Sequence, residues 1–183
     1  SGTGIADMPS SVAEWTTYLS GKSVGVLNKL HARTFANLSQ RLMTAVEEGA
    51  RSARYNRPFC LAMVDVDNFK SINDNLGHAG GDRALTMVAA CMANTKRTID
   101  VLARYGGDEF VLLLPETELE SGFLVVERIR KQIGGMLVAE GIAMTISCGV
   151  VDNRSCPNTN ANELVRRADM ALYRAKEAGR NRT

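Results

Sequence analysis

Val101-Leu-Ala-Arg-Tyr-Gly-Gly-Asp-Glu-Phe-Val-Leu-Leu-Leu114 is the stretch on which the fold of this chain turns. Its first arm, Val101 to Tyr105, is apolar and β-prone, and its second, Phe110 to Leu114, is a buried-strand run closed by Pro115. Two such runs joined by Gly106-Gly107 predict a tight hairpin, whose turn asks for positive φ at both central positions. Two carboxylates, Asp108 and Glu109, follow the glycines directly. There no side chain keeps a ligand away from the backbone. An acidic hairpin tip would read the same way, so the weight of the pair depends on what the rest of the chain brings to it.

Working outward, residues 1 to about 20 are small and polar apart from Trp15, Tyr18 and Leu19, and read as a tail or the end of a connector. From about Lys29 to Tyr55 apolar residues recur at three- and four-residue steps, which predicts a helix ended by Pro58. Phe59 to Val66 is a central strand, apolar on both faces until Asp65. Phe69 to Asn75 suits a short helix stopped by Gly77, and Ala79 to Lys96 a longer one. Beyond the hairpin, Glu118 to about Glu140 is helical with a weak spot at Gly134-Gly135. Ala143 to Val151 is a strand, Asp152 to Asn160 a loop, and Asn162 to Ala178 an amphipathic helix with Gly179 just past its end. Strand, helix, strand, strand, helix, strand is the ferredoxin-like order. The expected fold is therefore α+β, one antiparallel sheet with helices packed around it and largely on one face.

Composition narrows the function classes. The 183 residues are enough for one ordinary domain with a real core. Hydrophobic residues make up 45% and charged residues 23%, as in a soluble globular protein. A net charge of +2 supplies no strong field for nucleic acid or an anionic membrane, so any attraction for phosphate is local. No apolar run reaches the ~18 residues that a membrane span needs, and no secretory signal pattern is present, so a cytoplasmic location is expected. Cys60, Cys91, Cys148 and Cys156 lack metal-ligand spacing and read as reduced thiols. His31 and His78 are too isolated for a histidine metal site.

Alternation places Asp65 and Asp67 on one side of the first strand, near its C-terminal end. A buried charge there needs a partner or a cation. If this strand pairs with the hairpin, Asp65 comes near Asp108. Carboxylates converging at a sheet edge without histidine or cysteine suit Mg²⁺, a hard cation that usually shares oxygen ligands with substrate phosphates. The competing reading is that these acids cap the next helix, a role Asp67 is placed to fill in any case.

Arg104-Tyr-Gly-Gly-Asp-Glu-Phe110 resembles the signature of the GGDEF family, the diguanylate cyclases, which make cyclic di-GMP from two GTP molecules. Val64-Asp-Val-Asp-Asn-Phe-Lys-Ser-Ile-Asn-Asp74 looks like its second signature, and Gly77-His-Ala-Gly-Gly-Asp82 is similar to its third. The resemblance runs from about Asn28 to Arg180 and implies a nucleotidyl-cyclase or palm-like fold. It implies that Asp65, Asp108 and the backbone carbonyl of Val66 hold Mg²⁺ or Mn²⁺, and that the amides of Asn68, Phe69 and Lys70 line the phosphates. It further implies that Asn73 and Asp82 read guanine, whose N1–H and exocyclic amine suit the two oxygens of an Asp. Asp108 or Glu109 would take the proton. At the C-terminus, Lys176 and Arg180 stand four apart, so they can share one helix face and reach one polyphosphate, although a basic helix end favourable to the dipole reads the same.

Arg97-Thr-Ile-Asp100 matches the RxxD of the family's inhibitory product site, where an Arg fork and an Asp can bind cyclic di-GMP. An intramolecular ion pair would produce the same pattern. The family usually opens with D-x-L-T-G-L-x-N-R; here the matching stretch is Gly21-Lys-Ser-Val-Gly-Val-Leu-Asn-Lys29, which keeps only Gly25 and Asn28. The resemblance thus predicts a diguanylate cyclase that works as a homodimer, binds GTP and cyclic di-GMP but no nucleic acid, and takes its input from an upstream sensor domain. A silent, cyclic di-GMP-sensing domain and a cyclase acting on ATP are the rival readings. The clustered acids speak against the first and Asp82 against the second.

Overall fold

The computed structural model of the protein describes residues 57–138, 142–155 and 161–183. The predicted helix over 29–55, the altered segment 21–29 and Cys156 lie outside the described residues. The elements run β1 (Phe59–Val66), α1 (Phe69–Thr95), β2 (Val101–Arg104), β3 (Glu109–Pro115), α2 (Leu119–Gly134), β4 (Ile146–Asp152) and α3 (Ala161–Glu177). The sheet order is β2-β3-β1-β4, with every neighbouring pair antiparallel. This is the ferredoxin-like arrangement that the order of elements predicts.

β1 is central and buried along its whole length, which its unbroken apolar run requires of a strand covered on both faces. Cys60, Ala62, Val64 and Val66 face one layer with Phe110, Leu112 and Leu114 of β3. Against them pack Leu85, Val88 and Met92 of α1 and Val126, Ile129 and Ile133 of α2. Phe59, Leu61 and Met63 face the other way with Val111 and Leu113, under Leu164, Ala168 and Leu172 of α3. Helices therefore cover both faces rather than largely one. The reason is that β1 and β3 are apolar at odd and even positions alike and need two covers. Each fully buried side chain of this kind contributes about 1.5–3 kcal/mol. The exposed ion pairs Arg57–Glu116 and Arg154–Glu118 contribute about 0–1 kcal/mol each, so the layers hold the sheet together.

Several boundaries differ from expectation. The two helices expected around Gly77 form one kinked element, because Gly77 takes φ 68 and ψ 176 in its midst. α2 ends at Gly134, well short of residue 140, where the weak Gly134-Gly135 pair stops it. β4 begins at Ile146 rather than Ala143, which instead makes an isolated bridge with Leu137. Cys60, Cys91 and Cys148 are buried free thiols. Burial pushes the Cys60 thiol up to about 12, so it stays protonated at neutral pH. Among the described residues no helix is long and apolar enough to cross a membrane.

Candidate active site

The register of β1 against β3 brings the acids together. Asp65 stands opposite Glu109, and the Val66 N–H donates to the Asp108 carbonyl oxygen at 3.2 Å. Asp65 is buried, only 6% exposed. Burial pushes its carboxyl above the usual aspartate range. The Lys176 ammonium pulls it back, and the neighbouring Asp108 and Glu109 carboxylates push it up again. Lys176 Nζ lies 2.8 Å from Asp65 Oδ2. Lys176 is brought there by the last turn of α3, so three acids and one ammonium from three elements share this end of the sheet.

The hairpin that carries Asp108 and Glu109 is not the expected two-residue turn. Arg104 and Phe110 form its last strand pair, and neither Gly106 nor Gly107 has positive φ. The Tyr105 and Gly106 N–H groups both donate to the Glu109 carbonyl oxygen, at 2.8 and 3.3 Å. Arg104 closes the loop instead. Its Nε donates to the Gly106 and Gly107 carbonyl oxygens at 3.2 and 3.0 Å, and its Nη2 donates to Gly107 as well. Burial lowers the Arg104 pKa from its ordinary value, and the negative charges of Asp82 and Asp108 oppose that shift. A Cβ at position 106 would meet only the flexible end of Glu109, Oε2 at 2.7 Å, and one at 107 would meet nothing within 4 Å. Sequence reasoning quoted Arg104 only as part of a motif. Its three bonds to loop carbonyls depend on a turn geometry that composition did not reveal.

Asn68 heads α1 in the left-handed region at φ 53, and its side chain makes no capping bond. The first-turn amides of a helix have no intrahelical partner, and such an end suits an anion in physical terms. Lys70 is exposed beside it. Asp67 does not cap this helix. Its Oδ1 accepts from the Ser147 hydroxyl at 2.7 Å, and its Oδ2 from the Thr145 hydroxyl at 2.7 Å and the Asn181 N–H at 3.0 Å. Three donors, one just before β4, one within it and one from the C-terminal segment, outcompete a local cap. Across the kink, Gly81 lets the arms of α1 close, since a Cβ there would overlap the Asn73 amide. Asn73 therefore packs beside the turn that carries the exposed Asp82.

Lys176 and Arg180 do not share a helix face. α3 ends at Glu177, and Gly179 takes φ 114. The Arg180 N–H donates to the Ala175 carbonyl oxygen at 3.1 Å, and the Gly179 N–H to that of Lys176 at 3.2 Å. This is a Schellman ending, and it turns Arg180 off the helix. Arg97 and Asp100 form the intramolecular ion pair. The buried Asp100 accepts from the Arg97 N–H at 2.7 Å and its Nη2 at 3.2 Å. Arg97 Nη2 also donates to the Thr117 hydroxyl at 2.6 Å and the Pro115 carbonyl oxygen at 3.2 Å.

As a metal seat, Asp65, Asp108 and the Val66 carbonyl offer only hard oxygen donors, which fits Mg²⁺ or Mn²⁺. Among the described residues no group of three or more His, Cys, Asp or Glu forms a metal cluster. A cation here would thus draw its remaining ligands from phosphate or water.

The family model described as "Diguanylate cyclase, GGDEF domain" matches residues 26–182. This chain belongs to the GGDEF diguanylate cyclase family. The chain is 42% identical over 151 residues to the diguanylate cyclase DgcP of Pseudomonas aeruginosa, covering 80% of this chain and 22% of that protein. It is 38% identical over 157 residues to diguanylate cyclase A of Treponema denticola, covering 84% and 41%. It therefore spans well under half the length of these relatives. The active GGEEF domain of a diguanylate cyclase from Vibrio cholerae superposes with a TM-score of 0.73 at 31% identity, covering 78% of this chain and 92% of that one. The GGDEF domain of DgcB from Caulobacter crescentus, solved in complex with c-di-GMP, superposes with 0.70 at 29% identity, covering 76% and 84%.

Proposed function

We propose that this GGDEF chain condenses two GTP molecules into cyclic di-GMP and two pyrophosphates. The meeting of Asp65, Asp108 and Glu109 at one end of the sheet, beside the uncapped N-terminus of α1, is the observation that carries this reading. Asn73 and Asp82 hold the guanine, and the amides of Asn68, Phe69 and Lys70 line the phosphates. Lys176 and Arg180 approach the polyphosphate from the C-terminal side. Asp65, Asp108 and the Val66 carbonyl hold Mg²⁺ or Mn²⁺, which when bound neutralises the triphosphate and lowers the pKa of the attacking hydroxyl.

The 3′-oxygen of one GTP attacks the α-phosphorus of the other. An O–P bond forms, the bond to pyrophosphate breaks, and the hydroxyl proton passes to Asp108 or Glu109. Basic side chains at the leaving group stabilise its charge. The same exchange in the opposite direction closes the ring. One chain holds one such site, so two copies face each other as a homodimer. Cyclic di-GMP feeds back at Arg97 and Asp100. Half of the Arg97 side chain is exposed although its fork already engages Asp100, so product would bind along the outer edge of that pair.

The test is to incubate the protein with GTP and Mg²⁺ and resolve the products. Wild type should yield cyclic di-GMP. Asp108→Asn should abolish product while leaving cyclic di-GMP binding intact, and Arg97→Ala should relieve inhibition by product. Normal cyclisation by Asp108→Asn would sink the site assignment.

A further inference from the structure

Asp65 is where two cations have a claim. Its side chain is 9% exposed and lies 2.8 Å from the Lys176 ammonium, whose own side chain is 31% exposed. Asp108 and Glu109 add negative charge to the same spot. A carboxylate so buried, with two acids beside it, is costly without a counter-charge, and Lys176 supplies it. We propose that Lys176 and a divalent cation compete for Asp65, with Lys176 as the internal counter-ion that the metal must displace before the ammonium turns to substrate phosphate.

This rests on the metal reading given above. The ammonium already occupies a site on Asp65 Oδ2, and a cation drawn to the same carboxylate at about 2.0–2.1 Å would bring two positive charges to close range, where they repel. Lysine suits a hand-over: its charge is a point on a flexible four-carbon stem, with no planar fork to hold it in one pose. α3 also ends one residue beyond Lys176, so its side chain emerges at the open end of the helix. The consequence is a coupling. Metal binding to the protein alone is weakened by Lys176. With a polyphosphate present, the displaced ammonium finds a new partner and the penalty falls. Metal and nucleotide therefore bind with positive cooperativity, which linkage makes reciprocal.

Mn²⁺ binding measured by calorimetry and by electron paramagnetic resonance, first without nucleotide, tests this. Lys176→Met should bind Mn²⁺ more tightly than wild type, by about fivefold or more. The coupling between Mn²⁺ and a non-hydrolysable GTP analogue should shrink by a similar factor. Lys176→Met leaves Asp65 unpaired, so Mn²⁺ should also raise the melting temperature of this variant more than that of wild type. A Lys176→Gln variant gives the same comparison if the Met variant does not fold. Unchanged or weaker Mn²⁺ binding in both variants overturns the proposal. Asp108→Asn separates the two levels. If it loses Mn²⁺ while the Lys176 variants match wild type, only the competition is wrong. If it binds Mn²⁺ with the GTP analogue as well as wild type does, the metal site is wrong and the competition falls with it.

Discussion

Replacing Arg104 by Ala removes the donor that both glycine carbonyls of the hairpin loop face. Asp108 follows those glycines directly, so the loop that aims it would relax. Misplacement by about 1 Å costs on the order of 10²-fold in rate, so Arg104→Ala should lower turnover by about that much. Its melting temperature should stay near that of wild type, because the layered core is untouched. Turnover within a few-fold of wild type would show that the loop holds its shape without Arg104. A second residue sets a pH signature. Glu127 receives Arg130 Nε at 2.7 Å and Nη2 at 2.8 Å, and the Thr183 hydroxyl at 2.7 Å. These bonds, Arg130 first, hold its carboxyl at about 2, below the ordinary 4.5. A depressed folded-state pKa stabilises the protein above the unfolded value, and that contribution fades as pH falls through 4.5 toward 2. Glu127→Gln should therefore cost about 1–2 kcal/mol near neutral pH, with the gap closing in acid. Denaturant titrations across that range measure it, and a pH-independent gap would contradict it. At this scale the approach of Asp65 to the hairpin acids was legible, because strand alternation and pairing stand in the sequence; the guanine-reading role proposed for Asn73 and Asp82 comes from the family resemblance instead. Arg104, Asp67 and the Lys176–Asp65 contact were not, because their partners come from distant segments.

Elements were legible where one residue decides. Gly77 marks the kink of α1 and Gly134-Gly135 the end of α2, and β1 announces its central place by having no polar face. The hairpin turn was misjudged because Gly-Gly suits positive φ, yet here neither glycine takes it, and Arg104 and the Glu109 backbone shape the loop. The face of the sheet that α3 covers was also hidden, since an amphipathic helix states what it buries and not where. One position fixes that docking. A Cβ on Gly149 of β4 would overlap the backbone of α3 at Ala168 and Leu172. Backbone on both sides cannot give way, so Gly149→Ala should cost about 3 kcal/mol, or roughly 6–12 °C in melting temperature. It should also reduce GTP turnover, since α3 delivers Lys176 to Asp65. Calorimetry and the product assay read both effects. A variant that melts with wild type would mean that α3 is held elsewhere.

The described residues present one set of acids at the sheet end, while the proposed reaction joins two nucleotides twice. In the proposed reaction each of the two new bonds needs a 3′-oxygen aligned with an α-phosphorus held by another copy, so the proposed working unit has two chains. Dilution tests this directly. Below the dissociation constant of the dimer, product per unit of protein should rise in proportion to concentration, and it should become constant when two copies are covalently tethered. Mixing gives a sharper form. If wild type and Asp108→Asn pair at random in equal amounts, only pairs of two intact chains complete the ring, which is about one quarter of all pairs. Activity of the half-and-half mixture should then be about one quarter of that of wild type at the same total concentration. A chain that worked alone would give about one half. A value near one half, together with specific activity that does not change on dilution, would sink the two-chain reading even if every residue assignment within one chain survived.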